Sequence, residues 1–310
     1  MKEPFYSFNM FLRKQFSCRV HRISLDAGFS CPNLDGTVDS SGCIFCNNKA
    51  FSHFSSSKKI GLKEQISKSI SFYRERLKVN KFIAYFQAFS NTYSDLDSLR
   101  KQYDIIKNFP EIVGLFISTR PDCIDEDKIK LISSYKKNYL VWLEYGLQTT
   151  NNRILEFINR HHTYEDFLDA LNLTRKYNID TGVHLILGLP SATYQDMIED
   201  AEKIAKLDIQ GIKFHILHVL RDTQLKQIYE EGKIKLLAKD EYIKIVCNFL
   251  EKIPPHIVIL RLVSDASALQ LVAPSWIKKK HEVLDGIRKE FTRRKTYQGY
   301  CYERNFSKSK

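Results

Sequence analysis

The sequence has no long hydrophobic run. Nowhere in its 310 residues do apolar side chains approach the roughly 18 consecutive positions that suggest a membrane helix. The first residues, Met1 to Phe5, also lack the basic stretch and apolar core of a secretory signal peptide. We therefore expect a cytoplasmic protein without a membrane partner.

The cysteines do not form the pattern of a disulfide-stabilised secreted protein. There are seven, an odd number, and three of them are clustered near the start of the chain. The other four, Cys18, Cys123, Cys247 and Cys301, are scattered, and such thiols are more often buried than reactive. For Cys123, which closely follows a predicted strand, a place at the active site stays open.

Acidic residues are outnumbered, because 36 Asp and Glu stand against 48 Lys and Arg, for a net charge of +12. Residues 274–310 hold much of the excess and interleave it with aromatic residues, including Trp276 and Tyr300. Basic side chains contact phosphates, and aromatic rings stack on unpaired bases. The segment therefore indicates either an RNA-binding surface or a solvated basic helix with a frayed tail.

What the sequence does contain is a cysteine motif, Cys31, Cys43 and Cys46, with the spacing C-x11-C-x2-C. Thiolates this close select Zn²⁺, Cu(I) or an iron–sulfur cluster. A [4Fe–4S] cluster normally takes four cysteines, so three would leave one iron open to a small molecule. The alternative is a structural zinc site with His21 or His53 as fourth ligand. Such sites usually combine two closely spaced pairs of Cys or His ligands, whereas only one C-x2-C pair is present.

Short β-branched, aromatic and apolar runs recur at the spacing of a βα unit. The predicted strands are His21–Phe29, Phe82–Phe89, Val113–Thr119, Leu140–Gln148, Thr181–Leu189 and Gly211–Leu220. Helical patterns lie between them, and one is predicted to begin at a Ser191 cap. Alternating βα units predict a parallel sheet, curled into a barrel or open and doubly wound.

Polar residues follow several of these strands, and the cysteine motif follows the first. Since functional residues of βα folds gather at the carboxyl ends of the strands, we expect these groups to converge on one mouth. They include Gln87, Asn91, Thr92, Glu144, His184, Lys213 and His215.

Motifs on five strands resemble those of the radical S-adenosylmethionine (radical SAM) superfamily. They are Leu25 to Thr37, Ala84 to Thr92, Thr119-Arg120-Pro121-Asp122-Cys123, Glu144 to Thr149, and His184 to Pro190. The nearest resemblance is to the YhcC/YtqA-type proteins and, more distantly, to the radical SAM half of the elongator catalytic subunit. It extends over nearly the whole chain.

The resemblance implies a partial (β/α)6 TIM-like barrel over residues 1–222, with the cluster loop at 30–47. A small C-terminal α/β extension with a basic aromatic tail would follow at 223–310. Within the barrel, a [4Fe–4S] cluster on Cys31, Cys43 and Cys46 would cleave S-adenosylmethionine (SAM) reductively to a 5′-deoxyadenosyl radical. An external flavodoxin or ferredoxin-like protein would deliver the electron.

The resemblance also implies the SAM contacts. The run from Gln87 through Asn91 and Thr92 would meet the methionine amino group, and Glu144 would accept hydrogen bonds from the ribose hydroxyls. Further contacts would come from Arg160 to the carboxylate, from Ile186 and His215 on the adenine side, and from Gly188, small because a ring lies against the chain. Phe45 would shield the cluster.

Three functions remain open at this point. The first is modification of tRNA at the wobble uridine, and the second is radical chemistry on a small metabolite or peptide. The third is a zinc-stabilised nucleic-acid-binding module without catalysis. RNA binding would weaken steeply with salt.

Overall fold

The protein is described here by a computed structural model that covers residues 3–47, 60–264 and 267–308, with side chains up to Arg304. Seven parallel strands form one sheet, in the order β1-β2-β3-β4-β5-β6-β8, which curls into a half-barrel. These strands are β1 Val20–Leu25, β2 Lys81–Phe86, β3 Ile112–Thr119, β4 Leu140–Gln148, β5 Asp180–Leu187, β6 Gly211–Ile216 and β8 Val258–Arg261. Two short strands, β7 Val219–Leu220 and β9 Leu271–Ala273, pair antiparallel beside it.

Helices separate most of the strands, as a sequence of βα units requires. They are α1 Phe8–Phe16, α2 Leu62–Leu77, α3 Leu96–Tyr103, α4 Glu126–Ser134, α5 Asn152–Phe157, α6 Tyr164–Lys176, α7 Tyr194–Ile204, α8 Gln224–Glu230, α9 Lys239–Lys252, α10 Lys280–Arg294 and α11 Tyr300–Lys308. No helix within the described segments is long and apolar enough to cross a membrane.

The predicted partial barrel of parallel strands is confirmed, and the structure adds detail at its last strands. The run Gly211–Leu220 was predicted as one strand, but β6 ends at Ile216. Its neighbour β5 ends at Leu187, before a left-handed Gly188, so the partner for a longer β6 is lost. The chain then turns into β7, which pairs with β9 instead.

A seventh strand, β8, comes from the part of the chain predicted as an extension. It pairs with β6 in the main sheet, where Gly211 lies opposite Val258. The division of the chain at residue 222 stays a prediction.

The helix after Pro190 begins at Thr193 rather than at the predicted Ser191. The Thr193 hydroxyl accepts a hydrogen bond from the Asp196 backbone N–H at 3.1 Å, and the Asp196 carboxylate accepts one from the Thr193 N–H at 2.8 Å. This reciprocal pair is a capping box. Ser191 has φ +64° and lies in the preceding turn.

The first helix covers the seam between the two edges of the sheet, β1 and β8. Helix α1 packs against both edge strands. The segment before it runs along β8, where the Ile259 N–H donates to the Tyr6 carbonyl at 2.8 Å. From α1, Phe11 reaches the Trp142 ring at a centroid distance of 5.4 Å. The lower end of the half-barrel is thereby filled with apolar side chains.

Side chains inside the half-barrel form layers because alternate residues of each strand point inward. Trp142 lies in the lower, apolar layer, and Gly211 leaves room for it: a Cβ there would lie 2.6 Å from the indole. Two positions further along β4, Glu144 lies in a polar layer. Above that layer the interior opens into a cavity at the carboxyl ends of the strands.

Candidate active site

The cavity encloses about 1270 Å³, counted to its open mouth. Its wall combines the cysteine loop with the ends of β1 to β6. Four of the predicted SAM contacts line it, namely Gln87, Arg160, Ile186 and His215, together with Cys31, Phe45 and Cys46. Of the polar residues predicted to converge on one mouth, Gln87, His184, Lys213 and His215 line this cavity, whereas Asn91, Thr92 and Glu144 do not.

The three motif cysteines come together in the loop between β1 and α2. Two tight turns bring them there, since Leu34 N–H donates to the Cys31 carbonyl at 2.8 Å and Cys46 N–H to the Cys43 carbonyl at 2.9 Å. None of the three is in a disulfide; Cys43 is buried and the other two are half-buried. Burial, together with the neighbouring thiols of Cys43 and Cys31, raises the pKa of the Cys46 thiol to about 12.

Two guanidinium groups lie beside these thiols. Arg160 donates from Nη1 to the Cys43 sulfur at 3.6 Å, from Nη2 to the Gly146 carbonyl at 2.7 Å, and from Nε to His162 at 2.9 Å. Arg120 is 2% exposed, and Asp122 binds its Nε and Nη2 at 2.9 and 2.6 Å. Its Nη1 is buried and has no hydrogen-bond partner among the described residues. We call Cys31, Cys43, Cys46, Arg120 and Arg160 the cysteine centre.

The donor set of the cysteine centre fits an iron–sulfur cluster. Buried thiols ionise when a metal centre supplies positive charge, and three soft ligands suit iron–sulfur chemistry. Ligands of a cluster bind different irons and need not meet at one point. Consistently, within residues 3–47, 60–264 and 267–308 no three His, Cys, Asp or Glu side chains converge on a single metal-ion position.

The predicted zinc alternative gains no support from His21. Its ring packs against Tyr73 at a centroid distance of 4.0 Å, near the start of β1, whereas the cysteines follow the end of that strand. The other candidate ligand, His53, lies outside the described residues.

A second polar group lies in the floor of the cavity. Glu144 is fully buried, and its Oε1 contacts Arg22 at 3.1 Å. Its Oε2 contacts Tyr85 at 2.9 Å, His184 at 2.6 Å and Lys213 at 3.1 Å. We call these five residues the glutamate centre. Burial alone would raise the pKa of the Glu144 carboxyl, but Lys213 and Arg22 lower it well below its ordinary value, so Glu144 is ionised.

Four predicted SAM contacts do not line the cavity. The Asn91 amide donates to the Phe86 and Ser118 carbonyls at 3.1 and 2.9 Å, which ties down the loop after β2. The Thr92 hydroxyl bonds to Thr119 and to the Cys123 carbonyl. Both side chains are fully buried. Their contact with SAM stays a prediction, while the structure shows a role in holding the loop.

The other two predicted contacts, Glu144 and Gly188, are also set back from the cavity. A ribose contact by Glu144 stays a prediction and requires that one of its four partners move. At Gly188 the structure gives one reason for the small residue, since φ is +81° and a Cβ would lie 2.9 Å from Leu237. The contact of Gly188 with a ring of SAM stays a prediction.

Arg120 belongs to one of the sequence motifs, but no role was predicted for it. A signal was present, because Asp122 two positions later can hold a guanidinium in place. Arg22 and Tyr85 were also left unassigned. Both occupy inward-pointing positions of their strands, where a polar side chain needs a buried partner.

The charges on the cavity wall are of one sign. Arg120, Arg160 and Lys213 line it, and no carboxylate of the described residues does. Such a wall favours an anionic group, or a group with negative charge on one side.

Comparison with known proteins agrees with this site. Residues 40–204 match the family model of the radical SAM superfamily, and residues 209–293 match that of the radical SAM C-terminal domain. YtqA of Bacillus subtilis is 37% identical over 303 residues, 98% of this chain and 94% of YtqA. YhcC of Escherichia coli K12 is 31% identical over 276 residues, 88% of each chain. The chain belongs to the radical SAM superfamily.

More distant matches cover part of larger proteins. The tRNA uridine(34) acetyltransferase of Methanocaldococcus jannaschii is 28% identical over 163 residues, 52% of this chain and 30% of that protein. Among solved structures, archaeal Elp3 from Methanocaldococcus infernus superposes with a TM-score of 0.66 at 16% identity, covering 90% of this chain and 64% of that one. At that identity the likeness establishes the fold alone.

Proposed function

We propose that this chain is an enzyme that holds a [4Fe–4S] cluster on Cys31, Cys43 and Cys46 and cleaves SAM reductively. The observation that carries the proposal is that three cysteines of one loop, none of them in a disulfide, meet beside two arginines at the mouth of a parallel half-barrel. When bound, the cluster supplies one electron to the sulfonium of SAM, which then gives methionine and a 5′-deoxyadenosyl radical able to abstract a hydrogen atom. A flavodoxin or ferredoxin-like protein would provide that electron.

The chain's own residues would bind and orient SAM and exclude water. Arg120 is the guanidinium with a nitrogen to spare, so we assign the SAM carboxylate to it in place of Arg160, whose three nitrogens are engaged. Ile186 lies opposite His215 in the β5–β6 register, so the two form one wall, suited to the adenine. Phe45 lines the cavity between two of the cysteines and keeps water from them.

We further propose tRNA, at the wobble uridine, as the substrate. Support comes from the partial similarity to a protein named as a tRNA uridine(34) acetyltransferase and from the net charge of +12. An unpaired base could enter the open mouth, whose wall carries only positive charge.

A small anionic metabolite or peptide is the second candidate, and one observation favours it. Several cations of the C-terminal basic segment are neutralised by acidic neighbours. The pairs are Lys279–Glu282, Arg288–Asp285, Arg293–Glu290 and Arg294–Glu290, at 2.7 to 3.1 Å. This reduces the charge that residues 274–310 can offer to phosphates.

Anaerobic reconstitution tests the reaction. The protein is loaded with iron and sulfide, its visible spectrum is recorded, and dithionite and SAM are added. We expect a brown protein that releases 5′-deoxyadenosine, measured by chromatography. A colourless protein that holds one zinc ion and leaves SAM intact would refute the proposal.

Salt dependence tests the substrate. We expect tRNA affinity to fall steeply with salt, and replacement of Lys278, Lys279 and Lys280 by glutamate to weaken it without changing SAM cleavage in the absence of tRNA. Substitution of Lys63, Lys68 and Lys78 by glutamate, around α2, is a control of equal charge change. If the two triple variants bind tRNA equally well, the basic segment has no part in recognition.

A further inference from the structure

The turn that carries Arg160 is fastened to the cysteine loop by hydrogen bonds. From this turn, Asn159 donates its side-chain amide to the Gly42 carbonyl at 2.8 Å and also to the Asp39 carboxylate. His161 lies 3.2 Å from the same carboxylate. One acidic residue of the loop thus holds both neighbours of Arg160.

The backbone of this turn is strained on either side of Arg160. Asn159 and His161 have φ of +57° and +56°, in the left-handed region that few residues other than glycine adopt. Such strain persists only where the surroundings impose it, and it concentrates at functional sites. Here it fixes the position from which the guanidinium extends.

The guanidinium itself is held on two sides and points its third side at one sulfur. Gly146 accepts from Nη2, and a Cβ at that position would lie 2.8 Å from the same nitrogen, so only glycine permits the approach. His162 accepts from Nε, because its Nδ1 lies 3.1 Å from the Thr163 carbonyl and donates to it. The remaining Nη1 lies 3.6 Å from the Cys43 sulfur.

Cys43 receives a second donor. The side-chain amide of Asn33 lies 3.6 Å from its sulfur and also donates to the Asn159 carbonyl at 2.9 Å, so it belongs to the same assembly. The arrangement around Cys43 is therefore built for a sulfur with negative charge.

We propose that Arg160, assisted by Asn33, sets the reduction potential of the iron–sulfur cluster through N–H···S hydrogen bonds to Cys43. This inference rests on the proposed function. Hydrogen bonds and positive charge at a ligand sulfur stabilise the reduced, more negative cluster and so raise its potential. Arg160 is thus a positioning residue of the cluster, and Arg120 remains the group for an anionic ligand.

The test is a redox titration of the reconstituted protein, followed by electron paramagnetic resonance of the reduced cluster in the absence of SAM. For Arg160→Gln we expect the ratio of reduced to oxidised cluster at a fixed potential to fall about tenfold, a shift of about −59 mV for one electron. Arg160→Lys keeps the charge and should shift less. Asp39→Asn is the matched control, because it loosens the same turn without removing a donor to the sulfur.

The outcomes separate the inference from the function it rests on. A wild-type protein that assembles no [4Fe–4S] cluster overturns both, and its visible spectrum shows this before any variant is made. If wild-type and Arg160→Gln clusters have the same potential, or if Asp39→Asn shifts it as far as Arg160→Gln, the inference alone is overturned. Should Arg160→Gln fail to assemble a cluster, Asn33→Ala decides: a smaller shift in the same direction supports the inference, and an unchanged potential overturns it.

Discussion

The cysteine centre and the glutamate centre share one cavity but differ in how their polar groups are satisfied. In the cysteine centre the buried Nη1 of Arg120 has no hydrogen-bond partner in the described part of the chain. In the glutamate centre both carboxylate oxygens of Glu144 are engaged by four side chains of the protein. Unsatisfied buried groups are costly, so the first centre is built to receive something and the second is complete by itself.

The largest expected difference between the centres concerns iron. Cys43→Ala should abolish cluster assembly, because two thiolates cannot hold the cluster, while the metal-free protein should unfold at nearly the same denaturant concentration as wild type. Iron content and the visible spectrum after reconstitution measure this. Cys123→Ala, which removes a buried thiol outside the centre, is the control. A Cys43→Ala protein with the full spectrum would show that the ligand assignment is wrong.

At the glutamate centre we expect a substitution to reduce the stability of the protein rather than its iron content. Glu144→Gln leaves the buried Lys213 and the half-buried Arg22 without their counter-charge and should lower the free energy of unfolding by about 3–5 kcal/mol. Urea unfolding measures it. Glu64→Gln, which removes an exposed pair with Lys68 on α2, should cost no more than about 1 kcal/mol. Equal losses in the two variants would mean that the buried network contributes no more than a surface ion pair.

One histidine of the glutamate centre and one beside the cysteine centre should have a smaller, pH-dependent effect on the free energy of unfolding. Burial, together with Lys213, lowers the pKa of His184 to about 3, and burial with Arg160 lowers that of His162 to about 3. Their ordinary pKa is about 6.5, so between pH 6.5 and 3 the unfolded chain binds protons that the folded protein does not. Each histidine should therefore lower the stability of the metal-free protein by up to about 1.4 kcal/mol per pH unit as the pH falls through this window.

Unfolding curves of the metal-free protein at several pH values check this prediction. His184→Asn and His162→Asn should each flatten the dependence, and the double variant should flatten it further. His256→Asn, away from both centres, should leave the slope unchanged. A wild-type slope retained in both single variants would show that other groups control acid stability.

Much of the fold was predictable because each strand carries a local signal. β4 was predicted at its observed bounds, Leu140–Gln148, since its apolar run is long. The role of β8 was not, because a four-residue strand looks the same whether it joins the main sheet or an extension. Its pairing with β6 depends on a contact between residues nearly 50 positions apart, which no local pattern encodes.

The site was predictable where residue type and spacing alone indicate its chemistry. It was not predictable where a role depends on which residues contact each other in the fold. The cysteines can be identified in the sequence by their residue type and spacing, and they lie in the loop after β1, as expected. Asn91 and Thr92 illustrate the limit, because a polar residue after a strand can face the mouth or tie down the loop. Their actual partners are backbone carbonyls and a threonine on other segments, which the sequence does not reveal.

The seam between β1 and β8 has a consequence for how the protein is made. β6 is the fourth strand from the end of the chain, and its outer edge is covered only when β8 pairs with it. The outer edge of β8 is covered in turn by the segment before α1, which forms a hydrogen bond with it. Gln298 locks this arrangement, since its side chain accepts from Tyr6 N–H and donates to the Pro254 and Ile257 carbonyls. During synthesis, the first residues therefore cannot make these contacts until the last fifth of the chain has been made. Until then the growing sheet exposes an unpaired edge of the kind that invites aggregation.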